Sequence, residues 1–152
     1  MSSTNGNTQK NIVKLLSLDS KIQNLLREAV QAREFAYAPY SKFPVGAALL
    51  CDDGVVYPGC NVENMSFTVG TCAERCAIFK AVSEGRRKYK AIAVIGYQER
   101  FYTMPCGACR QMMSEFGNMD VYIGKPDLRD VFVTTLEELM PNQFQTVDHE
   151  FS

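Results

Sequence analysis

The amino-acid pattern predicts an α/β domain: a three-layer αβα sandwich built on a five-stranded mixed sheet. Three observations carry that expectation. Short apolar runs bounded by turn residues alternate with segments whose apolar residues recur at helical spacing. One run, Ala91-Ile92-Ala93-Val94-Ile95, is apolar at every position, the pattern of a strand covered on both faces. No internal repeat and no linker divides the 152 residues, so helices and strands must share one core.

Taken in order, residues 1–17 are expected to be a polar, flexible lead-in, with residues 18–152 a single domain. Asp19 can cap a helix in which Ile22, Leu25, Leu26, Ala29 and Val30 recur on one face, and Pro39 bounds it. Residues 45–50 read as a buried strand, Asp52-Asp53-Gly54 as a hairpin turn, and residues 55–61 as the returning strand. A loop through Glu63-Asn64-Met65-Ser66 leads to a helix that starts at Thr71 or Cys72 and runs to Glu84, with Gly85 as its stop. The third strand is 91–95. Pro105 opens another helix, which runs to about Phe116 and stops at Gly117. Strands over 121–123 and 131–133 follow, then a short helix over 136–140 that ends at Pro141.

Composition narrows the class. An apolar fraction of 46% with 22% charged residues suits a soluble globular domain rather than a disordered or fibrous chain. The net charge is −1 and the only basic cluster is Arg86-Arg87-Lys88, which reads as a solvated helix end, so no nucleic-acid partner is expected. No run is apolar and long enough to span a bilayer, and the first ten residues lack a hydrophobic signal core. The expectation is a cytoplasmic protein without a membrane partner. In that compartment paired cysteines point to metal or catalysis before disulfides.

Two cysteine clusters then dominate: Cys72-Ala73-Glu74-Arg75 and Pro105-Cys106-Gly107-Ala108-Cys109-Arg110. Three thiols at these spacings read as a catalytic zinc site, because three protein ligands leave the fourth tetrahedral position open. Cys106 and Cys109 are three apart, so a helix places them on one face. Cys72 begins the other helix, and helix N-termini favour thiolates. Strands running parallel into these two helices would end at the same sheet edge, where sites in α/β sheets form. Arg75 and Arg110 could donate hydrogen bonds to the sulfurs. Glu74 is the candidate proton shuttle. Blander readings compete. Thr71 through Glu74 also fits a capping box, Cys72 alone fits a buried small side chain, and Cys106 with Cys109 alone fits a redox pair. A closed structural site would recruit Cys51, Cys60, Cys76 or the lone His149, with Cys76 the most credible. A single histidine excludes sites that need two.

The strings Thr71-Cys-Ala-Glu-Arg75 and Pro105-Cys-Gly-Ala-Cys-Arg-Gln111 resemble the small tetrameric cytidine deaminases, whose zinc signature has a three-cysteine form. Tyr40 through Leu49, Asn61-Val62-Glu63-Asn64 and Met140-Pro141 with Phe144 extend the resemblance over roughly residues 20–145. Met104, where the family often has serine, and Cys76, where threonine is common, depart from it. The resemblance implies a cytidine deaminase-like fold and one Zn2+ per subunit held by Cys72, Cys106 and Cys109. It implies Glu74 as catalytic acid/base and Arg75 as tuner of the thiolates. Phe43, Asn61 and Glu63 would line a nucleoside pocket, with the last two on the ribose 3′-hydroxyl. The backbone of Ala73 and Met104 would read the pyrimidine edge. Phe144 would reach into a neighbour's pocket in a homotetramer. The implied reaction is deamination of cytidine and 2′-deoxycytidine in pyrimidine salvage. The rivals are a deaminase of another aminopyrimidine or aminopurine, and a non-enzymatic zinc-binding module.

Overall fold

The computed structural model describes residues 11–144. Its sheet has six strands: β1 (Ile12–Lys14), β2 (Gly46–Cys51), β3 (Val56–Cys60), β4 (Tyr89–Ile95), β5 (Asp120–Gly124) and β6 (Asp130–Thr135). Four helices accompany them: α1 (Ser20–Arg33), α2 (Ala73–Ser83), α3 (Gly107–Ser114) and α4 (Leu136–Leu139). The spatial order is β1-β6-β5-β4-β2-β3. Only β4 and β5 pair in parallel, joined by the crossover through α3; every other neighbouring pair is antiparallel.

The expected five strands are therefore corrected to six. Strand β1 lies inside the segment expected as a flexible lead-in, and it pairs antiparallel with β6, Ile12 opposite Phe132 and Lys14 opposite Asp130. An ion pair of 2.6 Å between Lys14 Nζ and Asp130 Oδ1 accompanies the register. Three residues are too short to display a period, and the partner strand lies at the other end of the chain. A single turn of 3-10 helix (Leu15–Ser17) then leads into Asp19, whose side chain accepts from Lys21 N at 2.8 Å and caps α1.

The three layers follow from the alternation in β4. Ala91, Ala93 and Ile95 pack with Leu25, Leu26 and Ala29 of α1 on one face. Ile92 and Val94 pack with Ala77, Ile78, Cys109, Met113 and Leu136 on the other, so α2, α3 and α4 form the third layer. An apolar residue at every position is what a doubly covered strand requires. Helix α2 lies directly on the β3 backbone. A Cβ added at Gly59 would fall 2.5 Å from both Ala73 O and Ala77 N. Pro58 in the middle of β3 is tolerated because β3 is an edge strand.

The register sets up the site. Strands β3 and β4 are both antiparallel to β2, so they run in the same direction, and their last residues, Cys60 and Ile95, both pair with Gly46. The loops leading to α2 and α3 therefore leave the sheet from one edge. Both helices start slightly later than expected, with Cys72 and Cys106 as their N-caps. Gly85 and Gly117, at φ +83° and +88°, follow the two helices in the left-handed conformation expected of C-terminal stops.

Candidate metal centre and active site

The two N-caps bring three sulfurs together. Cys72 and Cys106 stand at the first turns of α2 and α3, and Cys109 lies buried within the first turn of α3. Cys72 Sγ and Cys106 Sγ are 3.7 Å apart, and all three Sγ atoms lie within 4.8 Å of one another. Zinc–thiolate bonds of ~2.3 Å in tetrahedral geometry imply sulfur–sulfur separations of ~3.8 Å. The donor set thus fits zinc in size and softness, with one coordination position left over. The Cys72 thiol is held well below its ordinary value. A hydrogen bond from the Cys109 thiol, followed by those from Arg75 and Cys106, brings it down to about 5 against the opposing effect of burial. Cys109 is pushed up, first by that same hydrogen bond to Cys72 and then by burial. Arg75 Nη2 donates to Cys72 Sγ at 3.8 Å, one turn along the same helix.

Glu74, in the first turn of α2, is 4% exposed. Burial pushes its carboxyl up to about 7, and the Cys72 thiolate beside it adds to the rise. Both protonation states are then accessible near neutral pH, the property wanted of a group that takes up and returns a proton. The capping-box reading of Glu74 fails on position: the N-cap is Cys72, not Thr71, and no side chain caps that helix start. A capping box does occur elsewhere, between Thr135 and Glu138.

A groove of about 550 Å³ adjoins the sulfurs, lined among others by Tyr40, Asn61, Glu63, Phe67, Cys72 and Arg75. A smaller cavity between α1, β3 and α2 is separate from it. In the groove, Asn61 Oδ1 accepts from Val45 N at 2.8 Å and its Nδ2 donates to Phe43 O at 2.9 Å. The Glu63 carboxylate accepts from Tyr40 N at 2.9 Å, from Ser41 N at 3.1 Å and from the Ser41 hydroxyl. These donors, the Ser41 hydroxyl foremost, hold Glu63 below its ordinary value. The cost of placing a carboxylate here is offset within the chain by the 40–41 turn.

The remaining candidates are distributed less tightly. Ala73 is fully buried as the first residue of α2, where helix geometry leaves its N–H without an intrahelical acceptor. Met104 is half-buried against the core layer below α2 and α3. Phe43 and Met104 are not among the residues lining the groove, and neither is Phe144. Phe144 is 73% exposed, with its carbonyl accepting from Gln111 Nε2 of α3 at 3.1 Å. The expectation that Arg110 donates to sulfur is corrected. Its Nε donates to Pro105 O at 2.8 Å and its Nη1 to Leu139 O at 2.6 Å, so it ties the α3 entry to α4. Cys76 stands outside the sulfur trio and lines the separate cavity together with Cys60. Cys51 is buried in the core. His149 lies outside the described residues. Sequence reasoning gave Ser41 no role of its own; its partner Glu63 is 22 positions away, and no local spacing signals that pairing.

Residues 19–125 match the family model described as the cytidine and deoxycytidylate deaminase zinc-binding region. A cytidine deaminase of Sporosarcina psychrophila is 48% identical over 134 residues, covering 86% of this chain and 96% of that protein. One from Halalkalibacterium halodurans is 51% identical over 130 residues, covering 83% and 96%. The crystal structure of a cytidine deaminase from Burkholderia pseudomallei superposes with a TM-score of 0.75 at 46% identity, covering 80% of this chain and 97% of that one. The matched region contains all three clustered cysteines and Glu74, and the similarity extends over nearly the whole length of these relatives. The chain therefore belongs to the cytidine and deoxycytidylate deaminase family.

Proposed function

We propose that this chain catalyses the hydrolytic deamination of cytidine and 2′-deoxycytidine to uridine and 2′-deoxyuridine, releasing ammonia, as a step of pyrimidine salvage in the cytoplasm. One observation carries the reading. Cys72 belongs at once to the sulfur trio and to the lining of the groove that holds Asn61 and Glu63, so a metal held by the trio adjoins a site built for hydroxyl recognition.

Cys72, Cys106 and Cys109 would hold the zinc, and Arg75 would offset the negative charge of three thiolates through its contact with Cys72. When bound, zinc supplies Lewis-acid activation of a water near neutral pH. Glu74 would accept a proton from the attacking water, pass it to N3 of the base, then take the proton of the new C4 hydroxyl and deliver it to the departing amine. Water would thus add across the C4–N3 double bond, and as the C4–N4 bond breaks ammonia leaves, the C4 carbonyl forms and the carboxylate is regenerated. Its buried position sets the proton-transfer group in place before charge develops on the ring. The Ala73 N–H, free at the start of α2, and the backbone of Met104 read the pyrimidine edge, with Phe43 packed beside the ligand.

A donor and acceptor count supports the ribose assignment. A carboxylate offers about four lone-pair sites, and three donors already use three of those on Glu63. An amide NH2 offers two hydrogens, and one of those on Asn61 goes to Phe43 O. One acceptor site on Glu63 and one donor hydrogen on Asn61 remain. A single hydroxyl satisfies both, donating to Glu63 and accepting from Asn61. A free base would leave both unmet, which is costly discrimination against cytosine.

Phe35, Met65, Phe67 and Val69 are each more than half exposed, and large apolar side chains left in solvent support burial between copies in a homotetramer. Phe144 would then enter a neighbour's groove from the segment after α4 that α3 holds through Gln111. The proposal is tested by incubating the purified protein with cytidine, 2′-deoxycytidine, cytosine, cytidine monophosphate and adenosine, following ammonia release and zinc content together. Ammonia from the first two with one zinc per chain is expected. Bound zinc with no ammonia from cytidine would refute the enzyme; turnover confined to adenosine would refute the substrate.

A further inference from the structure

We infer that Ser41 is a positioning residue for nucleoside recognition: it grips both oxygens of Glu63 and thereby aims the carboxylate's remaining lone pair at the ligand hydroxyl. The inference rests on the reading of Glu63 as a hydroxyl acceptor. Ser41 N donates to Oε2 at 3.1 Å and Ser41 Oγ donates to Oε1. The terminal torsion of a glutamate is a broad, roughly two-fold rotor. A donor on each oxygen from the same residue fixes the carboxylate plane, which one donor cannot do. Tyr40 N adds a second bond to Oε2 at 2.9 Å, so the free site is left on Oε1, the oxygen that Ser41 Oγ holds.

The same hydroxyl organises the turn itself. Ser41 Oγ accepts from Phe43 N at 3.1 Å while donating to Glu63. Only a group that both donates and accepts can stand at this junction, and a hydroxyl is the smallest that does. The turn is otherwise held by polar bonds, Lys42 N to Ala38 O at 3.1 Å and Asn61 Nδ2 to Phe43 O at 2.9 Å, and by the edge contact of the Tyr40 ring with Phe67. Lys42 adopts a left-handed conformation at φ 56°, uncommon for a non-glycine residue, and Tyr40, Ser41 and Lys42 join neither core layer. Ser41 is itself exposed and lines the groove, so its contribution is orientation rather than core packing.

The test compares cytidine with 2′,3′-dideoxycytidine, which lacks the 2′- and 3′-hydroxyls, in the zinc-loaded wild type, Ser41→Ala, Ser41→Thr and Glu63→Gln. Ser41→Ala is expected to raise KM for cytidine by about ten-fold, on the scale of one hydrogen bond to a charged group. Its kcat for cytidine and its KM for the dideoxy substrate should stay within about two-fold of wild type. Ser41→Thr, which keeps the hydroxyl, should restore KM for cytidine. An equal rise in KM for both substrates would mean a merely structural role and would overturn the inference, as would a failure of threonine to rescue. Glu63→Gln separates the two layers of the argument. If it leaves the preference for cytidine over the dideoxy substrate intact, the reading of Glu63 falls and the inference with it. If Glu63→Gln abolishes that preference while Ser41→Ala does not, the inference about Ser41 alone falls.

Discussion

Cys72 Sγ and Cys106 Sγ lie 3.7 Å apart, each at the N-cap of a different helix. That separation arises because β3 and β4, flanking β2, end level with each other on either side of Gly46, which points the entries of α2 and α3 at each other. Two partial positive helix ends then face the same sulfurs. Arg75 adds a full charge from the first turn of α2. The site is therefore assembled by the sheet register, and each of its parts can be perturbed separately.

Removing a sulfur should remove the metal. Cys109 is fully buried and completes the trio. Cys109→Ala is expected to weaken zinc binding by more than about a hundredfold, beyond the loss typical for a partner outside the ligand set. Elemental analysis of the purified variant reads this directly. One zinc per chain retained in Cys109→Ala would mean that another residue completes the site.

Glu74→Gln should separate metal binding from chemistry. The substitution keeps size and burial but cannot carry a proton. Turnover of cytidine is expected to fall by about 10²–10⁴-fold, the usual range for a general acid/base, with zinc content unchanged. Steady-state ammonia release and metal analysis on one preparation check both; wild-type turnover would remove Glu74 from the mechanism.

Phe144→Ala should act at a distance. Its ring is largely exposed in the single chain, so stability should change by no more than about 0.5 kcal/mol. If the ring enters a neighbour's groove, KM for cytidine rises several-fold while zinc content holds. An unchanged KM would confine Phe144 to its own surface.

Gly59→Ala should loosen the platform beneath the site. The added Cβ would fall 2.5 Å from Ala73 O and Ala77 N, backbone atoms of α2 that cannot swing aside. A destabilisation of about 1–3 kcal/mol is expected from the overpacking, read as a fall in Tm of roughly 2–4 °C per kcal/mol for a chain of this size. Since α2 carries Cys72 and Glu74, activity should fall with it.

Glu63 should show its grip in acid. Its carboxyl is held below the ordinary 4.5, chiefly by the Ser41 hydroxyl and then by the N–H groups of Ser41 and Tyr40. A depressed folded-state value contributes stability that is fully present above the unfolded-state value and is lost as pH falls through the lowered one. The stability gap between wild type and Glu63→Gln should thus be constant above about pH 5.5 and close progressively below about pH 4.5. Urea midpoints measured across that range check it, and a gap that widens on acidification would contradict the sign.

Much of the site was legible in the sequence because its chemistry is written in short spacings. Cys106 and Cys109 share a helical turn, and Cys72 and Glu74 share another. The alternation of apolar runs likewise foretold five of the strands and the doubly covered β4. What was misread involves residues far apart in the chain. Arg110 looks like a neighbour of sulfur because it adjoins Cys109, yet its fork reaches Leu139 O, 29 positions away. Local spacing likewise gives Asn61 and Glu63 no protein partner, and the structure engages most of their valences with the turn before β2.

By itself, then, the sequence determined which residues could serve as ligands and proton carrier, and which segments must be buried on one face or two. Ligand chemistry and hydrophobic period are local properties, readable within a few residues. Only the tertiary structure decided the sixth strand, the meeting of the two cysteine-bearing helix ends, and the grip of Ser41 on Glu63. Each depends on strand pairing and on hydrogen bonds that close long loops, and local spacing carries no record of which distant partner the folded chain brings near.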